Sequence, residues 1–202
     1  MSIGIIGSGA LGASVARALA GKGIAATISN SRGPASLVAL VEEAASADIV
    51  VVAVRWTDLG KVLGDMPAWN GRIVIDATNP VEFLDPNSPD AKDPANPLAA
   101  YGIKAIDLGE KYSSAVFRDL VPGARVVKAF NHLGVEALTQ PELSGGTRVQ
   151  FFSGDDAQAK AEVRKLIEAL GYFAVDLGAL DVGGPLASLP FGPLAATNFV
   201  KI

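Results

Sequence analysis

Apolar positions along this chain arrive in two rhythms. Short aliphatic runs at Ile3 to Ile6, Ala25 to Ser29, Ile49 to Val54, Arg72 to Asp76, Arg125 to Phe130, Val149 to Ser153 and Tyr172 to Asp176 read as strands. Between them lie helical stretches. Ala13 to Ala20 carries Val15, Ala18 and Leu19 on one face, and a second helix runs from about Ala35 to Ala45. Thr57 or Asp58 is placed to cap a short helix through Leu63, and another spans Ser113 to Leu120. The clearest helix is Asp155 to Leu170, with Asp155 or Asp156 at its start and Gly171 at its end. The run Ile49 to Val54 is continuous and rich in valine, which suits a strand covered on both faces. Strands alternating with helices predict an α/β fold with a doubly wound, mostly parallel sheet, in a single compact domain over residues 1–202.

Two segments break the rhythm. Five of the twelve prolines fall between Pro80 and Pro97, mixed with Asp, Asn and Ser, which predicts a loop over about 80–98. That loop reads equally as a lid or as a surface excursion. The tail over about 177–202 is rich in Gly and Pro and predicts no regular element; its apolar part from Gly183 to Ala196 is placed to join two copies or to close a site. No repeat of 20 to 50 residues is present.

Composition narrows the chemistry. With 50% hydrophobic and 19% charged residues in 202, the chain can bury a real core. The net charge of −4 gives no pull toward nucleic acid or anionic lipid. There is no cysteine, so disulfides, thiolate metal sites and a thiol nucleophile are excluded. One histidine, His132, excludes a multi-histidine metal site, and no metal is expected. The longest strongly apolar run is six residues, bracketed by Asp48 and Arg55, too short to span a bilayer. No basic stretch precedes an apolar one at the start, so no signal peptide is expected, and a cytoplasmic setting fits a disulfide-free chain.

The strongest motif is Gly7-Ser8-Gly9-Ala10-Leu11-Gly12, set between the first strand and the first helix. In that context it predicts a Rossmann-type dinucleotide loop. Gly7 permits the tight turn, Gly9 lets a pyrophosphate approach the backbone, and Gly12 lets helix and strand pack closely. The helix N-terminus offers free N–H groups to the phosphates. Near the end of the second strand an NAD site usually carries a carboxylate. Here the chain reads Ser29-Asn30-Ser31-Arg32 instead. A guanidinium beside hydroxyls binds a 2′-phosphate through charge-assisted hydrogen bonds and can stack on adenine. The expected cofactor is therefore NADP(H), with Asn30, Ser31 and Arg32 at its adenosine end.

These residues also carry a family likeness. The glycine run, Ser29 to Pro34, Ala47 to Val54, Ile75-Asp76-Ala77-Thr78-Asn79-Pro80 and Val127-Lys128-Ala129-Phe130-Asn131 resemble the coenzyme F420-dependent NADP oxidoreductases over most of residues 1–170. The resemblance implies NADPH lying across the strand ends and a flat deazaflavin or flavin, such as F420 or FMN, stacked on the nicotinamide. Hydride would pass directly between the rings, and the small-molecule ring acceptor would be the partner. It places Ala53, Val54, Arg55, Trp56, Thr78 and Asn79 near the ribose and nicotinamide, and Asn131 and His132 beside the acceptor ring. His132 is the candidate catalytic donor; a histidine satisfied by backbone at a strand end is the plainer reading. Homodimers are common in that family. One departure stands out: Arg55-Trp56 replaces the family's usual Pro-Trp.

Two other functions fit less closely. A small imine or hydroxyacid reductase would need a helical domain for which 202 residues leave little room. A sensor that binds NADPH without turnover is compatible with the lack of a clear catalytic dyad.

Overall fold

A computed structural model describes residues 1–30, 38–64, 66 and 68–202, the side chains of 38–40 excepted. The first half runs β1 (Ile3–Ile6), α1 (Ala10–Gly21), β2 (Thr27–Ser29), α2 (Val38–Ala45), β3 (Ile49–Val52), α3 (Leu59–Leu63) and β4 (Ile73–Asp76). A hairpin of β5 (Val81–Phe83) and β6 (Ile103–Ala105) follows, then α4 (Ser113–Leu120) and β7 (Arg125–Ala129). The chain closes with β8 (Glu142–Leu143), β9 (Gly146–Gly154), α5 (Ala157–Ala169), β10 (Phe173–Asp176), α6 (Leu180–Ala187) and β11 (Val200–Lys201).

The central sheet has the order β10-β9-β7-β4-β3-β1-β2. β2, β1, β3, β4 and β7 are parallel in register. Side-chain alternation splits the core into two layers. Ile5, Val51, Ile75 and Val127 face α1 and α5, whereas Ile6, Val50, Val74 and Val126 face α2, α3 and α4. Both faces are dry, as a parallel sheet with helices on each side requires. The fold is the mostly parallel, doubly wound, Rossmann-like domain that the alternation predicts.

β9 departs from that rule and runs antiparallel to β7. Parallel pairing needs a crossover that carries the chain back along the sheet. Between β7 and β9 there is only a 3-10 segment, Val135–Thr139, and the short strand β8. Ser144 and Gly145, both at positive φ, turn β8 directly into β9. The chain therefore returns reversed.

Several boundaries differ from the sequence reading, and three of them bear on the site; the expected start of the second helix near Ala35 lies outside the described residues. α1 begins at Ala10, three residues early, because the glycine loop ends at the Gly9 cap. The proline-rich segment is not all loop: β5 pairs with β6 antiparallel, and 3-10 turns bridge them. The tail contains α6 despite Pro185. Packing overrides propensity there: an added Cβ on Gly183 would sit 2.5 Å from Ser153 Cβ, so bare glycine lets α6 lie against β9. Among the described residues no helix is long and apolar enough to cross a membrane.

Candidate active site

The sheet order places a switch point at β1, whose neighbours β2 and β3 are reached by connections leaving in opposite directions. Ligand crevices of doubly wound sheets open there, beyond the carboxyl ends of the strands. Gly7 leaves β1 at φ 113°, and its N–H donates to Ser29 O at 3.0 Å, locking the loop to β2. An added Cβ on Gly12 would lie 1.9 Å from Gly7 O, so only glycine lets the first turn of α1 close on the loop. A Cβ on Gly9 would meet no atom of the described residues within 4 Å. Gly9 caps α1 without a side-chain hydrogen bond. The first N–H groups of the helix thus point outward with no acceptor along the helix.

Above this loop lies a cleft of about 590 Å³. Gly7, Ser8, Gly9, Ala10 and Leu11 form one end, beside Asn30. Ala53, Val54, Arg55 and Trp56 line it from the end of β3, and Thr78 and Asn79 from the end of β4. Phe130 and Asn131 line it beyond β7. Gly12 is buried beneath the loop and supports the site without lining it. Ser31 and Arg32 lie outside the described residues. Ser29 is buried and donates its hydroxyl to Ile5 O at 3.3 Å, so it is a strand tie, not a second phosphate hydroxyl. The far walls are apolar: Val81, Phe83 and Ile103 from the β5–β6 hairpin, and Leu189 from the tail.

Two networks hold the strand ends in place; the sequence reading singled out Thr78, Asn79 and Asn131 but not Asp76 and Lys128, nor the bonds that join them. Asp76 and Lys128 form an ion pair at 2.8 Å, 0% and 1% exposed. Lys128 Nζ also donates to Thr78 O at 2.6 Å. Asp76 Oδ1 accepts from Thr78 N at 3.0 Å and from Thr78 Oγ1 at 2.7 Å. Both carboxylate oxygens of Asp76 are used, and Thr78 is held at its N–H, hydroxyl and carbonyl, so it cannot swing freely. The signal was present: Asp76 ends and Lys128 interrupts an apolar strand, and a lone charge in such a run calls for a partner on a neighbouring strand. Asn79 and Asn131 form the second network. Asn79 Nδ2 donates to Asn131 O at 2.8 Å, and its Oδ1 accepts from Leu189 N at 3.0 Å. Asn131 Nδ2 donates to Asn79 Oδ1 at 3.1 Å and to Ala187 O at 3.0 Å. This pair brings Leu189 to the cleft. Phe130, at φ 63°, holds an unfavourable backbone that turns the chain from β7 toward that contact.

His132 corrects the sequence expectation. Asn131 and Leu133 line the cleft, but His132 does not. Its side chain is 1% exposed, with its ring 4.9 Å from that of Phe151 and Nδ1 3.2 Å from Gln150 Nε2. Among the described residues its Nε2 and Gln150 Oε1 have no hydrogen-bond partner. Burial pushes the imidazole from 6.5 to about 4, although the Val149 backbone opposes the shift. A neutral ring turned from the cleft can donate no proton to a substrate there. The physical reason is β9: Gln150 and Phe151 fill the space under the β7 turn and capture the side chain.

Comparison with known proteins agrees with this geometry. Residues 2–80, from β1 to the end of β4, match the family described as NADP oxidoreductase, coenzyme F420-dependent. A hypothetical protein of Sinorhizobium meliloti is 36% identical, with a TM-score of 0.83 over 100% of this chain and 97% of its own. The part of the chain from β1 to the end of β4 is thus a coenzyme F420-dependent NADP oxidoreductase domain by its family match. A protein of Arthrobacter sp. FB24 assigned as an F420-dependent NADP reductase is 25% identical, with a TM-score of 0.69 over 90% of this chain and 86% of its own. Metalloreductase STEAP3 of Rattus norvegicus is 28% identical over 199 residues, which is 93% of this chain. The chain spans only 36% of that curated relative's length. The family match ends at Pro80, so the hairpin and the tail residue that build the far wall lie outside the matched residues.

Proposed function

We propose that this protein binds NADP(H) across the strand ends and transfers hydride between NADPH and a flat ring acceptor, coenzyme F420 or a flavin such as FMN. The observation that carries this reading is the shape of the cleft: an open backbone cradle at Gly9 that continues into an apolar chamber. Among the described residues, Arg55 and Asp58 are the only ionisable groups lining it. No histidine lines it among the described residues, and ring-to-ring hydride transfer needs mainly position.

The chain's residues have distinct tasks in this reading. The N–H groups after Gly9 hold the pyrophosphate, and Gly9 leaves the space it occupies. Asn30, Ser31 and Arg32 receive the adenosine end, with Arg32 on the 2′-phosphate. Thr78, fixed by Lys128 and Asp76, and Asn79 set the height of the nicotinamide half. When bound, NADPH supplies the hydride, and the acceptor ring takes up the electron pair. Trp56, Val81, Phe83 and Leu189 keep water from the place where the rings meet. The family name, the assigned reductase of Arthrobacter and the reductase name of STEAP3 all support redox chemistry.

Anaerobic oxidation of NADPH and NADH with F420 or FMN tests the reading, in wild type and in Arg32→Glu. The expected result is turnover with NADPH, and a loss in Arg32→Glu of about tenfold or more for NADPH against little for NADH. Background rates with every ring acceptor, or equal losses with both coenzymes, contradict it.

A further inference from the structure

Arg55 stands at the edge of the cleft where family members usually carry proline, and the structure gives it a definite surrounding. It follows β3, on the opposite side of β1 from β2. The 2′-phosphate end of a dinucleotide lies at β2, two strands away, or about 10 Å. Arg55 therefore borders the half of the cleft where the rings would meet. Its guanidinium carbon sits 5.8 Å from the centroid of the Phe83 ring, on the β5–β6 hairpin. Phe83 is 59% exposed, unusual for a ring lining a cleft.

Among the described residues Arg55 makes no ion pair, not even with Asp58, which lines the same cleft. The aromatic ring occupies only the face of the guanidinium. The in-plane N–H groups keep their fork geometry, which fits a phosphate or carboxylate edge. Stacking on Phe83 also restrains the long side chain, so less entropy is lost when an anion is taken up. The neighbouring Val81 and Ile103 provide an apolar surface for a flat ring.

We propose that Arg55 and Phe83 form an anion-recognition element that selects acceptors whose flat ring carries a phosphate or carboxylate tail. This rests on the hydride-transfer reading and names the substrate class within it. The phosphate it meets could also belong to the pyridine dinucleotide, so the test separates the two.

The experiment measures fluorescence quenching of FMN, F420 and riboflavin on the protein saturated with NADP⁺, in wild type, Arg55→Ala and Arg55→Lys. Direct titration of each variant with NADPH runs alongside. FMN and riboflavin share a ring and differ by the phosphate. The expected result is that wild type binds FMN or F420 at least about tenfold tighter than riboflavin. Arg55→Ala should remove that preference, Arg55→Lys should restore part of it, riboflavin should change by less than about twofold, and any loss of NADPH affinity should be several-fold smaller than the loss of FMN. Equal binding of charged and uncharged rings by wild type overturns the proposal. So does failure of every ring to bind, or a loss of NADPH affinity in Arg55→Ala that matches the loss of FMN. Because the readout is binding, a tail preference without turnover would support Arg55 while refuting hydride transfer to that ring.

Discussion

Two buried polar clusters meet at the carboxyl end of β7, and they differ in how completely they are satisfied. Toward the cleft, Lys128, Asp76 and Thr78 use their charges and donors on one another at 2.6 to 3.0 Å. Away from it, His132 and Gln150 share one contact of 3.2 Å and leave His132 Nε2 and Gln150 Oε1 without partners among the described residues. The first cluster contains a full ion pair yet is structurally closed, and it shapes the site through Thr78. The second contains the residue most often associated with catalysis, and it is sealed by Phe151. A side chain's chemistry decides nothing until its direction is known. Here the turn at Phe130 points successive residues to opposite sides, Asn131 to the cleft and His132 into the β9 layer.

The largest expected effect comes from breaking the closed cluster. Lys128→Met leaves Asp76 buried without its cation and should cost about 3 to 5 kcal/mol in urea unfolding. Adding Asp76→Asn should recover part of that loss, because the orphaned charge is gone. A Lys128→Met loss below about 1 kcal/mol would mean that the pair is not holding β4 to β7.

The open cluster gives the next largest effect, through pH. Burial holds His132 at about 4 instead of 6.5. Between those values the unfolded chain takes up a proton that the folded chain does not. This contribution to stability is therefore intact above pH 6.5, declines as pH falls, and is lost below about pH 4. The full span is about 3 kcal/mol, which unfolding of wild type against His132→Gln at pH 7, 5 and 4 should expose as a steeper acid loss in wild type. Parallel acid profiles for the two would place the imidazole in water, contrary to the structure.

The same contrast explains what could be read from the chain alone. Residues from Ile3 to Asn79 announced themselves because each local requirement is also a global one. Gly7 and Gly12 are needed for the loop, and the valines of β3 suit a strand covered twice. Thr78 and Asn79 were legible as strand-end residues. Asp76 and Lys128 were quoted in the motifs but not as a pair, since pairing depends on β4 and β7 becoming neighbours 52 positions apart. The tail was illegible for the opposite reason. Gly183, Gly184 and Pro185 argue against a helix locally, and only contact with β9 makes one favourable. Leu189 reaches the cleft through Asn79, a contact spanning 110 positions that no local pattern encodes.

The central claim is that the glycine cleft, not the buried histidine, carries the function. Calorimetric titration of NADPH into wild type, Gly9→Val and His132→Gln at neutral pH tests it most directly. An added Cβ at position 9 meets no atom of the described residues within 4 Å, so the protein should keep its fold while the pyrophosphate loses its place. The account predicts that Gly9→Val weakens NADPH by about tenfold or more, whereas His132→Gln binds within about twofold of wild type. Undiminished binding by Gly9→Val, or a large loss in His132→Gln with the fold intact, would contradict it.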